Sequence, residues 1–189
     1  MMNVVQAAFQ NTSTSIFVAR QERFIDDLLV ATITFFQMVL AYVLSACLRG
    51  LIIALLSILV CLPLAKIPFE HPLLFIVSML SCCILFASLG LLAGLWAERW
   101  EHVAVIQNYL ITPLVFLGGV FYSSSIVPPA MQWVNSFNPL FYLVSAIRHS
   151  FLGQADMPFI KAFSVTFILA TFFFCITVIL FKRGYKLRS

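Results

Sequence analysis

Four long apolar runs, at residues 34–62, 73–96, 103–122 and 159–181, constrain this chain more than any motif it carries. A helix needs about 20 mostly apolar residues to cross a hydrocarbon layer of roughly 30 Å. Lipid offers the backbone no hydrogen-bond partners, so such runs cross as helices that satisfy their own N–H and C=O groups. Composition agrees: 62% of residues are hydrophobic and 10% charged, whereas soluble domains carry about 25% charged residues. The expected fold class is all-α integral membrane, with four transmembrane helices in one domain. The connections are short and punctuated. "PLAKIPFEHP" joins the first two runs, "AERWEH" the next two, and the longest link, 123–158, precedes the last run.

Basic residues set the orientation, because cytoplasmic loops carry the excess of Lys and Arg. One side holds Arg20, Arg23, Arg99, Lys182, Arg183, Lys186 and Arg188, and the other Lys66, Arg148 and Lys161. Both chain ends are therefore expected in the cytoplasm. Trp96, Trp100, Tyr122 and Tyr185 fall at run ends, where amphipathic rings favour the interface. The opening "MMNVVQAAFQNTSTS" lacks the basic leader and sustained apolar core of a secretory signal, and reads as a chain already under way. Cys47, Cys61, Cys82, Cys83 and Cys175 all lie in apolar runs and read as small buried hydrophobes, without a disulfide framework or zinc spacing.

Before the first run, residues 15–31 read as an amphipathic cytoplasmic helix. Phe17, Phe24, Ile25, Leu28 and Leu29 share one side, with Arg20, Glu22, Arg23, Asp26 and Asp27 mostly elsewhere. A passive helix on the membrane surface is one reading. The mixture of both charge signs favours a protein partner, since lipid-surface helices usually carry a Lys/Arg-rich polar face.

Three features inside the runs need explanation. Arg49 costs at least about 2.5–3.5 kcal/mol at a span centre on insertion scales, so it should face protein or a polar cavity. Substrate contact and a structural bond to a neighbouring span are both open, with Gln107 and Asn108 as candidate neighbours. Gly90 and Gly94 form a G-x-x-x-G that permits close backbone approach, within the subunit or across a dimer. Pro113 should kink the third run.

Enzymatic readings find little support. His71, His102 and His149 fall in separate loops, no carboxylate sits inside an apolar run, and there is no Gly-Lys-Ser/Thr phosphate loop. An intramembrane lipid-modifying enzyme and a non-transporting membrane oligomer remain as alternatives.

"ARQERFIDDLLVA", then "YVLSACLRGLIIAL", then "PLVFLGGVFYSSSIVPPAMQWVNSFNPLFYLVSAIRHSFLG" and a last run with a basic tail resemble the permease subunit of ABC-2 type exporters. The resemblance covers nearly the whole chain, and the third piece is its most specific part. It implies a dimerising permease, a homodimer or a pair with a close paralogue, in the bacterial inner membrane. A separate ABC ATP-binding subunit would bind ATP and Mg. No cofactor is implied for this chain itself, and no nucleic acid. The substrate would be a drug, a lipid-linked molecule or a polysaccharide. The family has six spans, so "MMNVVQAAF" is expected to be the end of its second span and the chain a remnant shortened at the N-terminus. Thr32 stands where similar permeases commonly have Pro.

The resemblance also implies roles for particular residues. Arg20, Glu22, Arg23, Phe24, Asp26 and Asp27 would couple to the ATPase. Residues 126–153 would form a re-entrant hairpin on the outer face, with Pro128 and Pro129 starting its first arm and Asn138 and Pro139 making its turn. Tyr142 would lie on the returning arm, with Arg148 near the outer interface. A pair of helices lying on the outer surface is the other reading of that stretch.

Overall fold

The computed structural model describes residues 1–22, 24, 33–61, 70–119, 135, 137–153 and 157–184, most of them helical and none in a strand. The elements are α1 (Met2–Gln21), α2 (Phe35–Cys61), α3 (Pro72–Trp96), α4 (Trp100–Val105), a π-helical segment (Ile106–Ile111), α5 (Thr112–Leu117), α6 (Pro139–Leu152) and α7 (Phe159–Lys182). Three of them, α2, α3 and α7, are long and apolar enough to cross a membrane.

Helix α3 is the hub, packing against α1, α2, α6 and α7. Of the most apolar stretch of each long helix, 61% is buried in α3 but only 28% in α2 and 17% in α7. The outer two helices thus present Leu48, Leu55, Leu59, Ile160, Ile168 and Phe172 outward, as lipid-facing helices do. The interior is built from Phe9, Ile16, Phe86, Leu85, Leu91, Leu143 and Phe181, all essentially inaccessible.

The tightest seam is α1 on α3, and small residues make it. A Cβ added at Gly90 would collide with the Phe9 carbonyl and the Thr12 hydroxyl, and one at Gly94 with Ile16 and the Ser13 carbonyl. The G-x-x-x-G therefore seats α1 inside the subunit. Ala8, Thr12 and Ser13 supply the matching small face, and Thr12 Oγ1 donates to the Ala87 carbonyl at 2.9 Å. Close approach of this kind gains dispersion contacts, which drive helix association where lipid removes the usual hydrophobic force.

Two expectations change here. The amphipathic helix expected over 15–31 does not begin at 15: residues 15–21 are the last turns of α1, which bury Ile16, Phe17 and Ala19 and end at Glu22. The cause is the small face running back to Val4, which continues the helix through a stretch too polar to register as a span. The expected run 103–122 is helical from Trp100 to Leu117 but not as one α-helix, because its middle turn is π-helical. Pro113 has no N–H to donate to the carbonyl four residues earlier, and widening the preceding turn accommodates that loss. The Gln107 carbonyl accepts the Thr112 N–H in the widened turn, and Thr112 Oγ1 donates to the same oxygen at 3.1 Å.

Candidate functional site

Two regions bring chemistry-bearing residues together: a polar surface along α1 and α2, and the end of α1 at Arg20. Helix α1 buries Val4, Val5, Ala8, Phe9, Thr12, Ser13 and Ile16. Its opposite side leaves Asn3, Gln10 and Ser15 exposed, with Gln6, Asn11 and Thr14 half-buried. Helix α2 and the π segment both pack against α1.

Arg49 joins this surface from α2. Its Nη1 donates to Asn11 Oδ1 at 3.1 Å, Asn11 Nδ2 donates to Ser45 Oγ at 3.1 Å, and Ser45 Oγ donates to the Tyr42 carbonyl at 2.8 Å. The partner of Arg49 is thus Asn11, in place of Gln107 or Asn108. Sequence reading missed it because only residues 1–9 were expected to belong to a span, which left Asn11 outside it. The available signal was the alternation of Asn3, Gln6, Gln10 and Thr14 with Val4, Val5, Ala8, Phe9 and Thr12 at helical spacing.

At the far end of α1, Arg20 Nη1 donates to the carbonyls of Gly94, Leu95 and Ala97 at 3.2, 2.9 and 3.0 Å. These are orphan acceptors at the C-terminus of α3, where a cation is also favoured by the helix dipole. Arg20 is therefore a clamp between α1 and α3, not a free surface charge. Phe17 packs edge-on to Trp100 at 5.4 Å and, with Ala97 and Val103, closes the same corner. Beside it opens a groove of about 540 Å³ lined by Thr14, Ser15, Val18, Glu22, Phe24 and Trp100 among others. Glu22 and Phe24 are exposed there, whereas Arg23, Asp26 and Asp27 lie outside the described residues.

The stretch before α7 is tied down from both ends. Asn138 caps α6, accepting from Leu140 N at 3.0 Å, while its Nδ2 donates to the Leu114 carbonyl of α5 at 2.8 Å. Pro139 occupies the first helical position, where a missing N–H costs nothing. Arg148 Nη2 donates to the Gly119 carbonyl at 3.1 Å, and Tyr142 is half-buried with its ring edge-on to Phe141. At the other end, His71 N donates to the Ser150 carbonyl, and Gly153 ends the helix in the left-handed conformation with φ 65°. Pro128 and Pro129 lie outside the described residues. Among the described residues no three His, Cys, Asp or Glu side chains gather as a metal site.

Comparison with known proteins adds what the geometry alone does not specify. The ABC-2 type transporter family matches residues 1–152. Inner membrane transport permease YadH of Escherichia coli is 34% identical over 191 aligned positions, covering 100% of this chain and 74% of that protein. Nodulation protein J of Rhizobium leguminosarum bv. viciae is 35% identical over 69 positions, covering 36% of this chain and 27% of that protein. No solved structure matches. A helical bundle with three helices long and apolar enough to cross a membrane, matched over most of its length by one family and end to end by a named permease, is a membrane permease subunit, and the chain belongs to the ABC-2 type transporter family.

Proposed function

We propose that this chain is the membrane-spanning part of an ATP-driven exporter that moves a drug, lipid-linked or polysaccharide-type substrate outward across the cytoplasmic membrane. The observation that carries the reading is the polar face of α1, where Asn3, Gln10 and Ser15 are exposed and Asn11 bonds Arg49 of α2. Lipid does not solvate such a face, so it fits a wall of a water-containing path.

Family membership implies partnering with an ABC ATP-binding subunit. In this reading ATP and Mg bind that subunit, which docks at the groove beside Glu22 and Phe24 and on the acidic residues Asp26 and Asp27. Movement there reaches the bundle through Arg20, whose three bonds join the end of α1 to the end of α3. A second copy or a close paralogue completes the path, both ends face the cytoplasm, and residues 126–153 return to the outer face they came from. The test is co-expression with the ABC ATP-binding subunit of the same transporter, followed by co-purification and ATP hydrolysis in proteoliposomes. The proposal expects a stable complex that Asp26→Lys with Asp27→Lys weakens at unchanged membrane insertion. Failure of the unaltered chain to retain the subunit would overturn it.

A further inference from the structure

Arg49 sits far from either end of α2: at about 1.5 Å rise per residue it is roughly 21 Å from Phe35 and roughly 18 Å from Cys61. It is exposed, as is Ser45 one turn away. None of α1, α2, α3 and α7 contains an Asp or Glu. The guanidinium is compensated by a neutral amide oxygen, Asn11 Oδ1. That bond uses one donor of a side chain that carries several and accepts none. A cation at this depth without an anion is unfavourable, and the bundle's long helices offer none. Around it, Leu48 and Ile52 are 64% and 56% exposed, so a polar point lies against an apolar bed.

We propose that Arg49, oriented by Asn11 and Ser45, is a binding site for the anionic group, phosphate or carboxylate, of an amphiphile whose apolar part lies along Leu48 and Ile52. The amide holds one edge of the guanidinium and leaves its other donors for the two oxygens of the anion, the arrangement in which Arg binds such groups best. The inference that the bound anion is cargo rests on the export reading above, while the binding site itself does not.

The test uses the purified full chain in phosphatidylcholine nanodiscs, titrated with dodecyl phosphate and, as the neutral comparison, dodecyl maltoside. The unaltered protein should bind dodecyl phosphate at least about ten-fold more tightly, the scale of a charge-assisted hydrogen bond. Arg49→Gln should abolish that preference and Arg49→Lys should keep part of it. Asn11→Asp is the sharper variant, because it supplies the missing carboxylate within the protein. It should fold at least as well and lose dodecyl phosphate binding about ten-fold. Equal binding by the unaltered, Arg49→Gln and Asn11→Asp proteins overturns the site. With the ATP-binding subunit present, stimulation of ATP hydrolysis by dodecyl phosphate identifies the anion as cargo. Binding without stimulation identifies a resident lipid phosphate, so the site survives a failure of the export reading.

Discussion

Gly90 faces the Phe9 carbonyl so closely that no side chain fits without moving backbone. Gly90→Leu should therefore lower stability by about 1–3 kcal/mol, the usual cost of overpacking. Leu59, on the outer face of α2, is itself 68% exposed, so Leu59→Ala should stay within about 0.5 kcal/mol. Thermal unfolding in detergent separates the two. Arg20 gives a second check: Arg20→Met leaves the end of α3 without its cap and should cost about 1.5–3 kcal/mol, the range for a hydrogen bond from a charged group. Arg20→Lys should recover part of the loss. The glycine pair was legible in the sequence because G-x-x-x-G at helical spacing has one physical use, close approach. The partner of Arg20 was not, since a basic residue near acidic neighbours looks like a surface charge. Only the fold brings Gly94, Leu95 and Ala97 beneath it.

At the scale of elements, apolar length located the long helices: 34–62, 73–96 and 159–181 correspond to helices at Phe35–Cys61, Pro72–Trp96 and Phe159–Lys182. It failed for α1, whose association depends on small residues, so that Asn, Gln, Ser and Thr dilute its hydropathy while its packing is the closest in the bundle. The same blindness hid Asn11 as the partner of Arg49. The third run shows the converse, since Pro113 was visible as a disturbance but not as a widened turn over Ile106–Ile111. Pro113→Ala restores an N–H and should let the segment relax to α-helix, turning Tyr109 and Asn108 away from their present directions. Stability should hold or rise while ATP-driven export falls several-fold. Thermal unfolding and transport, measured on one preparation, check both halves.

For the whole molecule, α3 occupies the centre, α2 and α7 face lipid, and α1 carries the polar side. The basic residues then favour reporter fusions at Trp100 and Ser189 reading cytoplasmic and fusions at Glu70 and Ser125 reading periplasmic. A periplasmic Ser189 would invert the orientation. The central claim is that α1 is a membrane helix whose polar side meets water. It is tested most directly by single cysteines in a background lacking the native five, exposed to a small hydrophilic thiol reagent in intact membranes. Cysteines at Gln6, Gln10 and Thr14 should react, and those at Val5, Phe9 and Ser13 should not. Operation of the ATP-binding subunit should change the rates of the reactive set. Equal reactivity on both sides of α1, or reaction at Gln10 no faster than at lipid-facing Leu55, would contradict the account.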